Sequence, residues 1–303
     1  MPELPEVETI ARGLHKHVAG DVIDSVWIGS KPEPLKSPAA EIARTLEGAR
    51  ISRVHREGKH IVIELAGEAD KRSETRRRIL KTSSQETAQW IVHLGMTGRL
   101  VIAQAGAQTA KHTHLVAKLA SGRELRFEDA RRFGRLSVRY EPSVRDSKPE
   151  AKLQPSLQNN HSWAGGREPL EIDFADFAPL FHSRKTPINS ALLNQKLLRG
   201  VGNIYADESL FRAGVRPRRR AARVTTDELQ KLHRGLQEVL NEAIAAGGSS
   251  VSDYVDAAGD EGFFQLQHRV YGREGEPCLI CKTPIKRVVI AGRSAHYCPR
   301  CQK

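Results

Sequence analysis

The chain has 303 residues, and its 48 Lys and Arg against 36 Asp and Glu give a net charge of +12 and an isoelectric point of about 9.7. This length is sufficient for two domains with a well-buried core, and the absence of a run of 18 apolar residues or of a signal-peptide pattern argues against membrane insertion or export. The positive charge predicts a polyanionic partner, most simply nucleic acid, although a basic surface that serves only solubility would have the same charge.

The first ten residues, MPELPEVETI, predict the start of a helix and contain a candidate nucleophile. Pro5 suits the first helical turn, and an apolar stripe follows it. If Met1 is removed, Pro2 becomes a terminal secondary amine. Such an amine has a pKa near ~8, against ~10.4 for a lysine, and the positive end of the helix lowers this pKa further. Glu3 is then a candidate proton donor. Taken alone, the decapeptide favours a plain helix start.

Short β-branched segments separated by turn residues continue to about residue 140 and predict a sandwich or barrel. A short helix over Ala39–Leu46 is expected to end before Gly48. The predicted strands are Val22–Ile28, Ile51–Arg56, Ile61–Leu65, Trp90–Leu94, Leu100–Ala103, Leu115–Leu119, Glu124–Phe127 and Arg135–Tyr140.

Two polar stretches interrupt this pattern. Gly67–Ala88 is basic and predicts an inserted loop, in which Arg76–Arg78 either touch nucleic acid or, more commonly for a charge run, face solvent. Glu141–Glu168 is rich in Pro, Ser, Asn and Gly and predicts a linker.

Helical patterns follow the linker. The expected helices are Asp173–His182, Ile188–Leu198, Ile204–Arg212 and Thr225–Ala246. The turn Arg199–Asn203 reads RGVGN, so Gly200 and Gly202 are expected to allow positive φ and close approach of another backbone, and Asn203 is expected to cap the next helix. This arrangement fits a backbone site for a DNA phosphate and an ordinary helical hairpin equally well.

The only four cysteines form two CxxC pairs separated by sixteen residues. Two such pairs complete a closed tetrahedral site, so we expect Cys278, Cys281, Cys298 and Cys301 to bind one structural Zn²⁺. Two disulfides or a redox pair are the alternatives, and they fit a basic intracellular chain poorly. Thr283–Tyr297 predicts a β-hairpin with Arg293 at its tip, where the side chain could reach a phosphate.

Six motifs in order along the chain resemble the formamidopyrimidine-DNA glycosylase family. They are PELPEVE, HLGMTGRL (His93–Leu100), RRFG (Arg131–Gly134), GVGNIYADESLF (Gly200–Phe211), VYGREGEPC (Val270–Cys278) and the CxxC pairs ending in CQK. Leu4 is similar to this family rather than to endonuclease VIII, which usually begins PEGPE.

The resemblance implies an α+β multidomain fold. Residues 1–140 would form a catalytic two-sheet β-sandwich with flanking helices, and 141–169 a linker. Residues 170–268 would form a helix–two-turn–helix DNA-binding domain, and 269–303 a zinc-finger β-hairpin. Double-stranded damaged DNA would lie in the cleft between the domains, and the protein would be a bacterial, cytoplasmic, nucleoid-associated monomer.

The same resemblance implies catalytic roles. Pro2 would attack C1′ of the lesion nucleotide and form a Schiff base, with Glu3 as its acid–base partner. Lys59 would bind phosphate and assist β-elimination, and Arg293 would serve δ-elimination. An amine nucleophile explains how one site both removes a base and cuts the strand, because the imine acidifies the C2′ proton.

Further positions match DNA contacts of the family. Met96, Arg131 and Phe133 would fill the gap left by an extruded base, although core packing also explains Met96 and Phe133. The other expected DNA contacts are His93, His112, Lys185, Asn203 and Tyr271. Glu6 and Glu208 would lie near the lesion pocket; helix-end electrostatics and an exposed helix face are the alternatives.

Three positions depart from the family pattern. Ala130 replaces the usual proline before RRFG, His60 follows Lys59 where an aromatic is common, and Asn189 stands where a lysine often contacts DNA. Ser249–Gly262 corresponds to the lesion-capping loop.

The expected activity is removal of 8-oxoguanine and formamidopyrimidines. The alternatives are a glycosylase for oxidised pyrimidines and a catalytically silent zinc protein that marks damaged DNA.

Overall fold

The computed structural model describes residues 1–67, 87–140, 165–250, 257, 259 and 261–303. Most of the predicted insert, including Arg76–Arg78, most of the predicted linker, and much of the predicted lesion-capping loop lie outside these residues. Helix α1 spans Leu4–Val18 and α2 spans Ala39–Leu46. The first eight strands are β1 (Ile23–Ile28), β2 (Ala49–Glu57), β3 (His60–Gly67), β4 (Thr87–His93), β5 (Arg99–Gln104), β6 (Thr113–Leu119), β7 (Arg123–Glu128) and β8 (Arg135–Tyr140).

These strands form two four-stranded antiparallel sheets, ordered β1-β6-β7-β5 and β2-β3-β4-β8. Alternate residues of both sheets point inward and share one apolar core, which includes Trp90 and Phe127. The predicted two-sheet sandwich is therefore confirmed, and each predicted strand is present with ends shifted by at most a few residues.

Helix α1 joins the two halves of the molecule. Its residues Val7, Ile10 and Leu14 are buried in the sandwich core, whereas Leu4 packs into the core of the C-terminal helices. Because one helical turn separates Leu4 from Val7, the first turn of α1 lies at the boundary between the two cores. The residues that precede α1 are therefore held at this boundary.

The helical part contains α3 (Phe174–Phe177), α4 (Ile188–Leu192), α5 (Asn203–Ala213) and α6 (Thr226–Ala245). The prediction of one helix over Asp173–His182 was wrong in extent, because the chain tightens into a 3₁₀ turn at Ala178–Leu180, where Pro179 lacks an N–H. The prediction of a helix to Leu198 was also wrong. Beyond Leu192, Asn194 Oδ1 accepts the Lys196 N–H at 3.0 Å and competes with the helical bonds.

The C-terminal module has its own small core. Strands β9 (Lys286–Ile290) and β10 (Arg293–Tyr297) form the predicted hairpin. Phe211 of α5, Val270 and Ile285 pack against two of the cysteines. None of the helices in the described part of the chain is long and apolar enough to cross a lipid bilayer.

Candidate functional site

The chain start lies against the glycine turn that precedes α5. The Leu4 N–H donates to the Gly200 carbonyl at 3.0 Å, and the Glu3 carboxylate accepts the Ile204 N–H at 3.4 Å. A Cβ on Gly202 would lie 2.1 Å from Cδ of Glu3, so a larger residue cannot stand there. The glycine turn of the helical domain therefore lies directly against the first residues of the N-terminal domain, and the two together form the site.

The two glycines of this turn have different roles. Gly200 has the expected positive φ of 91°, whereas Gly202 has φ −131° and allows the expected close approach, which is made by the Glu3 side chain. Gly202, and not Asn203 as predicted, is also the N-cap of α5, and Asn203 is the first helical residue. Asn203 Oδ1 is buried and has no hydrogen-bond partner among the described residues.

Glu3 is the titratable centre of the site. Its side chain is buried, and burial raises the pKa of its carboxyl to about 7, with the Lys59 ammonium opposing this shift and Glu6 adding to it. Glu3 Oε2 has no hydrogen-bond partner in the described part of the chain. The group can therefore hold or release a proton at neutral pH.

Glu6 fixes the backbone beside Glu3. Its carboxylate accepts the Glu3 N–H and the Ser249 N–H, both at 2.8 Å, together with the Tyr205 hydroxyl. Burial raises the pKa of Glu6, and these hydrogen bonds oppose the shift. Glu6 thus links α1 to Tyr205 of α5 and to Ser249, which follows α6.

Lys59 lies in the turn between β2 and β3 and is buried. Burial lowers the pKa of its ammonium; Glu3 partly restores it and Arg293 lowers it further. Arg293 is exposed and begins β10 directly after the Ala291–Gly292 turn, so the predicted tip is displaced by one residue. The fold therefore brings Glu3 and Lys59 of the N-terminal domain together with Arg293 of the C-terminal hairpin.

An ion-pair network, which the sequence did not reveal, fixes the Lys59 turn against the second domain. The Arg56 guanidinium donates to Glu8 and Glu168, each at 2.8 Å, and to the Gly58 carbonyl at 3.3 Å. Glu168 also accepts from Arg199 at 3.2 Å. These residues come from four separated segments, so no local motif could indicate the network.

His60 and His93 pair across β3 and β4 with ring centroids 4.8 Å apart. Burial lowers the pKa of His60 to about 3 and that of His93 to about 4, with Arg135 contributing to the latter. Both rings are therefore neutral at pH 7. The departure at His60 keeps a ring beside Lys59 without adding positive charge.

Two neighbouring loops expose apolar side chains. Met96 is 42% exposed and Phe133 is 53% exposed, so the alternative that they belong to the core is wrong. The Arg131 guanidinium carbon lies 4.9 Å from the Phe133 ring centroid. With Ala130 in place of proline, the loop of residues 130–134 is still closed by hydrogen bonds from the Arg131 and Gly134 N–H groups to Asp129.

Three further predicted DNA contacts differ in exposure. His112 and Lys185 are exposed. Tyr271 is half-buried between His268 and His296, with ring centroids 5.5 Å and 5.2 Å away, and burial raises the pKa of its hydroxyl.

Glu208 and Asn189 are both buried, so an exposed helix face does not explain Glu208. The Glu208 carboxylate accepts the backbone N–H groups of residues 269, 270 and 271 at 2.9 to 3.1 Å and so holds the start of the C-terminal module. The Asn189 amide donates to Asp207 at 3.4 Å and does not reach the surface.

The four cysteines fit the predicted zinc site. Their sulfurs all lie within 4.8 Å of one another, with Cys281–Cys298 at 3.4 Å and Cys278–Cys301 at 3.9 Å. In a tetrahedron with Zn–S bonds of about 2.3 Å, neighbouring sulfurs are about 3.8 Å apart. Four thiolates leave no open position, so Zn²⁺ held here is structural.

Comparisons with known proteins agree with this geometry. Residues 1–136 match the formamidopyrimidine-DNA glycosylase N-terminal domain, 166–255 its H2TH domain, and 275–303 the zinc finger found in FPG and IleRS. The chain is 44% identical over 303 residues to a formamidopyrimidine-DNA glycosylase of Solibacter usitatus, and the match covers all of both chains.

Solved structures of similar shape come from Lactococcus lactis. The chain is 29% identical to a mutant of its FPG in complex with Fapy-dG-containing DNA, with a TM-score of 0.81 and full coverage of both chains. It is also 29% identical to the Lactococcus lactis Fpg bound to DNA with an abasic site, with a TM-score of 0.80 and 99% coverage of each. The chain therefore belongs to the formamidopyrimidine-DNA glycosylase family.

Proposed function

We propose that this protein excises oxidised purines, 8-oxoguanine and formamidopyrimidines, from double-stranded DNA and cuts the strand at the resulting site. The observation that carries the proposal is the buried Glu3, with a pKa of about 7, next to Pro2 at the junction of the two domains. Relatives with this name and solved complexes with lesion-containing DNA support it.

Pro2 is the proposed nucleophile. Once Met1 is removed, its secondary amine attacks C1′, the C1′–N bond to the base breaks, and the base leaves with its electron pair and a proton. Glu3, whose pKa of about 7 lets it hold or release a proton at neutral pH, would supply and recover these protons. The sugar ring then opens: the C1′–O4′ bond breaks, O4′ keeps the electron pair and takes a proton from Glu3, and C1′ and the Pro2 nitrogen form the iminium.

Strand cleavage follows from the same adduct. The iminium acidifies the C2′ proton, whose removal expels the 3′ phosphate, and a second elimination expels the 5′ phosphate. Each departing phosphate gains negative charge, which a fixed cation stabilises. We assign this role to Lys59 and Arg293, since the Arg293 charge lies close enough to lower the pKa of Lys59.

The remaining contacts would bind and deform the duplex. Met96, Arg131 and Phe133 would occupy the space of the extruded base, and His93, His112, Lys185, Asn203 and Tyr271 would contact the strand around it. Unstacking a base costs a few kcal/mol, which inserted side chains offset. Glu6 would border the lesion pocket through Ser249, whereas we assign Glu208 to holding the C-terminal module.

Borohydride trapping tests the proposal. Protein whose mass shows that Met1 is absent should form a covalent adduct with a duplex containing 8-oxoguanine or an abasic site. Protein of the same sequence that retains Met1 is the control and should form none. No adduct with the Met1-free protein would favour a silent damage-binding protein, and full activity with Met1 retained would exclude Pro2 as the nucleophile.

Lesion choice separates the two enzymatic functions. Single-turnover excision from 8-oxoguanine and thymine glycol duplexes should favour the oxidised purine. Preference for thymine glycol would assign the protein to oxidised pyrimidines instead.

The curated relatives are bacterial, and we place the protein in the cytoplasm on the nucleoid because its proposed substrate is there.

A further inference from the structure

We propose that Asp129 is a positioning residue that locks two loops, Leu94–Gly98 and Ala130–Gly134, into one insertion unit for duplex DNA. These loops, called here the insertion loops, carry the exposed Met96 and Phe133. The inference rests on the proposed function and gives a role to Asp129, to which the sequence analysis assigned none.

Asp129 is 1% exposed, and both of its carboxylate oxygens are used. Oδ1 accepts the Thr97 hydroxyl at 2.6 Å and the Arg131 N–H at 3.2 Å. Oδ2 accepts the Gly134 N–H at 2.7 Å. One side chain thus holds the first insertion loop and both ends of the second.

The backbone of Asp129 is equally constrained. Its N–H donates to the His112 carbonyl at 2.9 Å, and its carbonyl lies 2.9 Å from His114 Nε2. These bonds fix the end of β7 to the start of β6. Asp129 therefore transmits the position of the rigid sheet to the insertion loops and to the His112 segment.

The loops touch each other through backbone. A Cβ on Gly95 would lie 2.6 Å from the Gly134 nitrogen and 2.6 Å from the Phe133 carbonyl carbon. With no side chain between them, a shift of one loop must move the other. Met96 and Phe133 are therefore placed as a pair, with Asp129 as the common anchor.

This arrangement matters only when a base pair must be opened. An apolar side chain can replace an extruded base only if it enters the stack at the correct depth, and a misplacement of about 1 Å can cost about a hundredfold in rate. A single strand has no pair to open, so cleavage of an abasic single strand does not need the insertion unit. This difference separates positioning from catalysis.

The test compares Asp129→Ala, Thr97→Val and Thr97→Ser with the wild-type protein. On an 8-oxoguanine duplex, Asp129→Ala should excise about a hundredfold more slowly and Thr97→Val about tenfold more slowly. Thr97→Ser keeps the hydroxyl and should stay within about twofold. All variants should cleave an abasic single strand within about twofold of the wild-type rate.

A second readout follows insertion directly. 2-Aminopurine placed opposite the lesion brightens when it unstacks, and Asp129→Ala should reduce the amplitude of this rise at saturating protein. Equal losses on single strand and duplex, or an unchanged duplex rate, would overturn the proposal. Wild-type protein that cleaves neither substrate would refute the proposed function instead, so the two failures are distinguishable.

Discussion

Two helices of this protein each bury a pair of acidic side chains, and the pairs are used differently. Glu3 and Glu6 stand at the start of α1, and Asp207 and Glu208 lie within α5. Burial raises the pKa of all four carboxyls. Burial alone therefore does not distinguish a candidate catalytic acid from a structural one.

Hydrogen bonding makes the distinction. Glu208 accepts three backbone amides, and Asp207 Oδ2 accepts the His296 N–H at 2.7 Å, so both carboxylates fasten α5 to the C-terminal module. The Glu3 carboxylate accepts the Ile204 N–H over a long 3.4 Å, and its Oε2 has no partner among the described residues. Glu6 beside it accepts two backbone N–H groups and the Tyr205 hydroxyl, so it positions Glu3 and is not itself left with free acceptor capacity. A carboxylate that is buried but left with free acceptor capacity is available for proton transfer.

The largest expected effect is on catalysis at Glu3. Glu3→Gln cannot transfer a proton and should lower single-turnover excision of 8-oxoguanine by about 10²–10⁴-fold. The variant should melt at the same temperature or higher at pH 8, because a neutral amide costs less free energy to bury than a carboxylate. A large loss of thermal stability, measured by calorimetry, would place Glu3 with the structural pair.

The next effect is on stability at Glu208. Glu208→Ala leaves three backbone amides without an acceptor, at about 1–3 kcal/mol each, so the free energy of unfolding should fall by roughly 3 kcal/mol or more. Glu208→Gln keeps one acceptor oxygen and is the matched control, with a smaller loss. Urea unfolding measures both variants. An unchanged midpoint for Glu208→Ala would show that the module does not depend on these bonds.

The third effect is a pH dependence of stability that follows from the raised pKa of Glu3. Glu3 has a pKa of about 7 in the folded protein against an ordinary value of 4.5. Between these values the folded state binds more protons than the unfolded state, so this group's contribution makes stability fall as pH rises from 4.5 to 7. Glu3→Gln should flatten that part of the melting-temperature profile. A profile identical to wild type would contradict the raised pKa.

The smallest effect is expected at Asp207. Asp207→Asn keeps one acceptor oxygen for the hairpin and should cost about 1 kcal/mol of stability. Excision at pH 7 should stay within about twofold of wild type, because Asp207 contacts the hairpin and Asn189, not the chain start. An excision rate that falls by clearly more than twofold while the protein stays folded would mean that Asp207 also acts in the reaction.

Local sequence patterns predicted much of the framework. Short β-branched segments between turn residues identified the strands, and the CxxC spacing identified the metal ligands, because both depend on neighbours in the chain. Side-chain competition was harder to anticipate: the helix after Pro187 ends early because Asn194 bonds nearby backbone. A periodic apolar pattern does not register such bonds.

The sequence by itself determined the position of the strands, the glycine turn, the zinc ligands and the chemistry available at Pro2 and Glu3. Only the tertiary structure decided the pKa of Glu3, the Arg56–Glu168 ion pair and the role of Asp129. Each of these depends on groups far apart in the chain, such as Glu3 and Ile204 or Thr97 and Asp129. Desolvation and Coulomb interactions act through space, so they are set by packing and not by spacing in the sequence.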